Sequence, residues 1–209
     1  EFRSDDSPFD AFLAGDETAL TPTQRRGADL FYGKAGCADC HSGSLLTDQK
    51  FHALAIPPFG PGRPRRFDPY TRDVGRMGET DDLADAYRFR TPSLRNIALT
   101  APYGHNGAYP DLEGIIRHHL DPQGSFDAWR QDFAQLPEAP WLAPIDFVVW
   151  QDRFEIARVR AKIDITPRAL ADDEVAALVD FMGALTGASA SNPLFGVPDN
   201  VPSGLPVDK

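Results

Sequence analysis

The sequence contains little cysteine. Among its 209 residues only Cys37 and Cys40 are cysteines, which excludes a framework of structural disulfides. It also lacks any run of residues long and apolar enough to cross a bilayer. Basic side chains are outnumbered, with 21 Lys and Arg against 31 Asp and Glu, so the net charge is −10. Nucleic acid is therefore not an expected partner, because binding to phosphates requires a positive field. An acidic surface would suit a basic partner protein, although it more often serves solubility.

Both cysteines belong to one short motif, Cys37-Ala-Asp-Cys40-His41. Two thiols three positions apart can each add to one vinyl group of haem, and the histidine that follows then lies beneath the iron. A thioredoxin-type site would follow a strand in an α/β pattern, and the sequence shows no such pattern. A zinc site would need two further ligands at short spacing, and only His41 is close. The motif therefore predicts one covalently bound haem c with His41 as an iron ligand.

Proline and glycine are abundant, with 19 and 17 copies, whereas strand patterns are weak and internal repeats are absent. We therefore predict a mostly α fold, a cytochrome c-like haem domain with long loops and a helical insertion. Helices are predicted at about 21–33, 110–120 and 171–185 from cap residues, apolar spacing and stop signals. In the first helix, Gly27 would allow another backbone to approach closely. Residues 56–76 are rich in proline, glycine and arginine and are predicted to form a loop.

The predicted organisation has three parts. Residues 1–20 form a lead-in, residues 21–188 form the haem domain, and residues 189–209 form an extended tail. An insertion at about 126–162 contains all three tryptophans, which could carry electrons between partners but are more typical of core and interface anchors.

The second iron ligand would decide the chemistry, because a strong sixth ligand favours electron transfer and an open position permits reaction with peroxide. The candidates are His52, His105, His118, His119, Met77 and Met182. His118 and His119 are neighbours on one predicted helix and point about 100° apart, so at most one of them faces a haem. Met182 is more typical of core filling, and Met77 is expected in a flexible loop. Composition alone leaves the choice open.

Several blocks of sequence together carry a resemblance to a known family. They are Gly27-Ala-Asp-Leu-Phe31 before the cysteine motif, Phe51-His52, Asp73-Val-Gly-Arg76, Phe89-Arg-Thr-Pro-Ser-Leu-Arg-Asn96, Leu99-Thr-Ala-Pro-Tyr-Gly-His-Asn-Gly107 and Val201-Pro-Ser-Gly-Leu-Pro-Val207. The chain resembles the C-terminal, haem-bearing half of the bacterial di-haem cytochrome c peroxidases and the related MauG-like enzymes. The resemblance covers roughly residues 20–209, apart from the insertion around 126–150.

The resemblance implies a sixth ligand. In that family a Met or a Tyr occupies the position that corresponds here to His119, counted from His105-Asn-Gly107 and Leu112-Glu113. His118 would then be a neighbouring residue on the surface or behind the ligand. His105 is expected to be a structural hydrogen-bonding residue near the haem. Arg76 and Arg95 are candidates for pairing with haem propionates, or equally for ion pairs that tie loops together.

The family also holds a calcium ion between its two haem domains, and the matching positions here would offer the backbone carbonyls of Thr100 and Pro102. A further calcium ligand comes from the other half of the family protein. Family members carry two Cys-x-x-Cys-His motifs, and this sequence has one. The peroxide-reactive half is therefore expected to be absent, truncated away or supplied by another chain.

The favoured function is a c-type cytochrome domain that relays single electrons between a redox partner protein, or a second haem domain, and a peroxidase-type haem. The alternative is a peroxidase or MauG-like oxidase whose own haem reacts with hydrogen peroxide, with Glu79 or Asp111 as the acid–base group. Whether the chain is an enzyme by itself stays open at this point. A periplasmic location is expected, because haem c is attached outside the cytoplasm.

Overall fold

The computed structural model describes residues 5–60, 62, 72–191 and 200–205. Parts of the predicted lead-in, of the loop at 56–76, of the tail from residue 189 and of the block ending at Val207 lie outside these residues. The helices are α1 (Pro8–Leu13), α2 (Pro22–Tyr32), α3 (Met77–Thr80), α4 (Leu112–Leu120), α5 (Pro122–Ala128), α6 (Val148–Gln151), α7 (Arg153–Arg160), α8 (Asp172–Gly183) and α9 (Ala188–Ser191). Two short strands, β1 (Phe51–His52) and β2 (Phe89–Arg90), pair antiparallel. The mostly α class is thereby confirmed.

The three predicted helices are present with slightly different ends. Helix α2 begins at Pro22, where the Thr21 side chain accepts a hydrogen bond from the backbone N–H of Gln24 and the Gln24 side chain bonds back to Thr21. Helix α4 begins two residues later than predicted, because Asp111 is its cap and accepts from the N–H of Gly114. Helix α8 is shorter than predicted at both ends.

The main core forms where α2 crosses α8. A Cβ added at Gly27 would lie 2.6 Å from the Cβ of Phe181 and would also collide with the carbonyl of Ala177, so only glycine permits this close crossing. The Phe181 ring packs against Phe31 with centroids 5.4 Å apart and edge-on against Phe9 at 5.1 Å. The crossing fixes the end of α2 and therefore the start of the cysteine motif.

A second, aromatic core lies beside α4 and is built around Trp129. Its buried members are Ile56, Tyr103, Ala108, Tyr109 and Trp129. Trp129 donates its indole N–H to the carbonyl of Ala108 at 2.8 Å and meets Trp150 edge-on at 4.7 Å. Trp141, by contrast, is 77% exposed. None of the described helices is long and apolar enough to cross a membrane.

Candidate haem site

The cysteine motif follows α2 through a tight turn. Gly36 has a φ of +65°, a left-handed conformation that suits glycine, and a single 3₁₀ turn covers Cys37–Asp39. The backbone N–H of His41 donates to the carbonyl of Cys37 at 2.8 Å. Both thiols and the histidine are therefore presented by one compact turn. Burial raises the pKa of Cys37 to about 11 and also raises that of Cys40, so both groups are held as thiols.

His41 is buried and is held in one tautomer. Its Nδ1 lies 3.0 Å from the carbonyl oxygen of Leu46, and because a carbonyl only accepts, Nδ1 carries the proton. Nε2 is then unprotonated, and no described residue forms a hydrogen bond to it. Burial, together with the neighbouring His119, lowers the pKa of His41 to about 4. A neutral histidine with one anchored nitrogen and one unprotonated nitrogen is the form that ligates a metal.

His119 reproduces this arrangement from the other side. It lies on α4, and its Nδ1 donates to the carbonyl of Ile115, one helical turn earlier, at 2.8 Å. Burial lowers its pKa as well, so the ring is neutral. The ring centroids of His41 and His119 are 6.4 Å apart. A metal–imidazole bond of about 2.0 Å, with the ring centre about 1 Å beyond the nitrogen, gives a separation of about 6 Å across a shared metal. The two residues therefore fit the two sides of one iron.

His118 makes different contacts from its neighbour. It is fully buried, and both of its nitrogens are engaged, Nδ1 with the hydroxyl of Tyr109 and Nε2 with the carbonyl of Leu54, each at 2.7 Å. Of the two positions expected for His118, at the surface or behind the ligand, the structure excludes the surface. The sequence does not reveal this contact, since Tyr109 precedes the helix and Leu54 is far away along the chain.

The remaining ligand candidates have other roles in the described structure. Met77 is buried at the start of α3 against Val74 and Tyr87, so its expected place in a flexible loop is wrong. Met182 is buried within the α2–α8 core. His105 stacks on the Phe89 ring at 3.5 Å.

His52 stands beside the cysteine motif. Its Nε2 lies 2.9 Å from an Asp48 carboxylate oxygen and 3.7 Å from the sulfur of Cys40. Among the described residues, Cys40, Asp48 and His52 form the cluster whose ligand atoms come close enough to hold a metal ion. Sequence reasoning missed this grouping, because β1 brings His52 back to the motif. The trio places a hydrogen-bonded histidine and carboxylate beside a thiol of the cysteine motif.

Arg76 and Arg95, the two predicted partners of haem propionates, both form ion pairs with aspartates of the chain. Arg76 is 3.0 Å from Asp85 and lies over the Phe51 ring, while Arg95 is 2.6 Å from Asp10. These are the loop-tying ion pairs that the sequence left as the alternative.

Thr100 and Pro102, the predicted calcium residues, are exposed. Within the described part of the chain, no donor makes a hydrogen bond to either backbone carbonyl.

Comparison with known proteins gives relatives of one kind. Cytochrome c peroxidase Ccp of Escherichia coli K12 is 43% identical over 113 residues, which cover 54% of this chain and 23% of that protein. Methylamine utilization protein MauG of Methylorubrum extorquens AM1 is 36% identical over 119 residues, covering 56% and 30%. The chain is a relative of the bacterial cytochrome c peroxidases and MauG proteins. It spans between about a quarter and two fifths of the length of these curated relatives. No protein-family model matches it.

Solved structures agree with this relationship. A MauG-like protein associated with microbial copper homeostasis superposes with a TM-score of 0.62 and 31% identity, covering 88% of this chain and 53% of that one. The diheme peroxidase BthA of Burkholderia thailandensis E264 superposes with a TM-score of 0.55 at 24% identity, which supports the fold. The chain thus spans about half of these peroxidase and MauG-like structures.

Proposed function

We propose that this chain is a c-type cytochrome domain that relays single electrons through one covalently attached haem. Cys37 and Cys40 would form the thioether bonds, and His41 and His119 would ligate the iron. The observation that carries the proposal is the pair of neutral imidazoles 6.4 Å apart, each with its Nδ1–H anchored on a backbone carbonyl. The relationship to cytochrome c peroxidases and MauG supports haem c as the cofactor.

When bound, the haem supplies an iron that accepts and returns one electron at a time. The residues of the chain would hold that iron rigidly. The carbonyls of Leu46 and Ile115 fix the orientation of the two rings, so little rearrangement accompanies a change of charge. The burial of His41 limits the access of water on its side. Two strong ligands leave no position for peroxide on the iron.

The positions of Asp111 and Glu79, the two residues considered as acid–base groups for peroxide chemistry, favour electron relay instead. Asp111 accepts the N–H of Gly114 as the cap of α4, and Glu79 is exposed on α3. We also infer that the partner is a redox protein or a second haem domain with hydrogen peroxide as the ultimate oxidant, and that the protein acts in the periplasm. The names of the relatives and the covalent haem support this inference. The exposed carbonyls of Thr100 and Pro102 are proposed to offer two oxygens to a calcium ion shared with that partner.

The test is the visible and electron paramagnetic resonance (EPR) spectrum of the purified ferric protein with no added ligand. A six-coordinate, low-spin spectrum is expected, with haem that resists extraction by acidified acetone. A high-spin spectrum would overturn the relay proposal and favour an iron that reacts with peroxide itself. Extractable haem would overturn the assignment of Cys37 and Cys40.

A further inference from the structure

Tyr109 and His118 form a buried hydrogen-bonded pair beside the proposed iron ligand. The Tyr109 side chain is 3% exposed and His118 is fully buried, and the phenolic oxygen lies 2.7 Å from Nδ1 of His118. Nε2 of His118 lies 2.7 Å from the carbonyl of Leu54. Because a carbonyl only accepts, Nε2 carries the proton and Nδ1 is the acceptor. The hydroxyl of Tyr109 therefore donates to a nitrogen that has room for one more proton.

The fold holds this pair in place from both sides. Gly114 lies one helical turn before His118 on α4, and a Cβ added there would be 3.0 Å from Cδ1 of Tyr109, so the tyrosine ring lies directly on the helix. The backbone of Tyr109 is paired with that of Tyr103 through hydrogen bonds of 2.7 and 3.1 Å.

The pair connects the iron site to the aromatic core. His118 is adjacent in the chain to His119, and Tyr109 belongs to the same buried cluster as Trp129. Trp129 in turn meets Trp150 at 4.7 Å. Tyrosine and tryptophan are among the side chains that most readily lose one electron, so the buried cluster that contains Tyr109 consists in part of easily oxidised rings.

We propose that Tyr109 and His118 are a redox-active pair that delivers one electron to the haem when the haem is oxidised beyond its resting state by a peroxide-derived oxidant. This inference rests on the proposed function, since it places the haem at His119. As the electron leaves Tyr109, its phenolic O–H bond breaks and the proton forms a bond to Nδ1 of His118. The products are a neutral tyrosyl radical, an imidazolium still bonded to the carbonyl of Leu54, and a haem reduced by one electron. One electron from the redox partner protein, passed to the tyrosyl radical through the aromatic core, and return of the proton from Nδ1 of His118 restore the pair.

The other described tyrosines with hydrogen bonds are less suited to this chemistry. Tyr103 donates to the carbonyl of Ile97, which cannot take up a proton. Tyr87 donates to Glu155, whose carboxylate already accepts hydrogen bonds from Arg72 and Arg158. Tyr103 is therefore a matched control, buried in the same cluster but with an acceptor of the wrong kind.

The experiment uses the haem-loaded protein and a ruthenium tris(bipyridine) photo-oxidant, whose flash-generated ruthenium(III) form is a strong one-electron oxidant. Radicals are trapped by freezing and recorded by EPR spectroscopy, with and without ring-deuterated tyrosine. A tyrosyl signal that narrows on deuteration is expected, and it should be lost in Tyr109→Phe but retained in Tyr103→Phe. A signal that survives Tyr109→Phe, or one that requires Tyr87 or Tyr103, would overturn the proposal.

The role of His118 needs its own variant. His118→Asn leaves an amide oxygen that accepts the Tyr109 hydroxyl but does not take its proton, so radical formation is expected to slow by about tenfold or more. Because His118 is fully buried, its replacement can disturb the fold. A second measurement therefore uses the wild-type protein. In deuterated water the formation of the radical in the wild-type protein should slow, and an unchanged rate would overturn proton transfer to His118. The haem transient after the flash should decay as the radical appears, and independent kinetics would also overturn the proposal.

The resting spectrum of the same samples separates this inference from the proposed function. A low-spin ferric haem without a Tyr109 radical contradicts the redox-active pair alone. A high-spin ferric haem contradicts the ligand assignment of His119.

Discussion

His118 and His119 are adjacent on one helix, yet their side chains make different hydrogen bonds and lie in different surroundings. His119 donates Nδ1–H to its own helix and faces His41, whereas His118 has both nitrogens engaged within the aromatic core. Helix α4 therefore separates an iron side, built on the α2–α8 core, from an aromatic side, built around Trp129. The comparison teaches that a metal ligand is recognised by an unprotonated nitrogen to which no described residue donates, since both residues are histidines on the same helix.

The largest expected effect is a change in the spin state of the iron when the proposed ligand, and not its neighbour, is replaced. His119→Ala removes the proposed sixth ligand, so the ferric spectrum should change from low-spin to high-spin. The matched control, His118→Asn, alters the aromatic side and should leave the spectrum low-spin. Visible absorption and EPR spectroscopy at neutral pH distinguish these outcomes.

Either variant can break the comparison. A low-spin spectrum in His119→Ala would mean that another residue ligates the iron. A high-spin spectrum in a folded His118→Asn variant would mean that the two sides of α4 are not separate.

The iron side depends on the crossing of α2 and α8 at Gly27. Gly27→Ala places a methyl group 2.6 Å from the Cβ of Phe181 and against the backbone of Ala177, so the helices must separate. We expect a loss of about 3 kcal/mol in the free energy of unfolding, measured by urea denaturation. Gly183→Ala is the control, because an added Cβ there meets nothing within 4 Å and should instead stabilise α8 by about 0.5–1 kcal/mol. Equal effects of the two variants would contradict the close crossing.

Acid should destabilise the fold through the buried ring of His105. Burial lowers the pKa of His105 to about 4, below the ordinary value of 6.5, despite the nearby Asp73. The unfolded chain therefore binds a proton at His105 between pH 6.5 and 4 that the folded chain does not. The contribution of His105 to stability is complete above pH 6.5 and falls as the pH is lowered through this window, by about 2 kcal/mol between pH 7 and pH 5. Urea denaturation at both pH values measures the loss, and it should be smaller in His105→Gln. An equal loss in that variant would assign the acid sensitivity to other groups.

The sequence predicts the iron side better than the aromatic side. The capped helix α2 and the close approach at Gly27 are local signals, and both of these predictions agree with the structure. The haem predicted from the cysteine motif stays a prediction. The burial of Met77 and the contact between Tyr109 and His118 depend on segments that meet only after folding. The periodicity of a short segment does not predict such contacts, because they depend on tertiary packing rather than on neighbouring residues in the chain.

The pairs formed by Arg76 and Arg95 illustrate the same limit. Their sequence context predicted a cation near the haem, and two uses remained open. The structure places Asp85 and Asp10 within reach of them, at 3.0 and 2.6 Å. The sequence shows where an arginine is, but the carboxylate that pairs with it depends on which segments the fold brings close together.

The smallest expected effect is on the aromatic side itself. Gly114→Ala should improve the intrinsic propensity of α4 by about 1 kcal/mol, but the added Cβ would lie 3.0 Å from Cδ1 of Tyr109 and 3.2 Å from the capping oxygen of Asp111. Relieving that contact moves the tyrosine ring away from the helix, and we expect a net destabilisation of about 1 kcal/mol or less. Since His119 anchors on Ile115 rather than on this face, the ferric spectrum should stay low-spin while the yield of the Tyr109 radical falls. A change in the iron spectrum that matches the change in radical yield would show that both sides of α4 move as one body. An unchanged radical yield would show that the tyrosine ring does not need the helix beneath it.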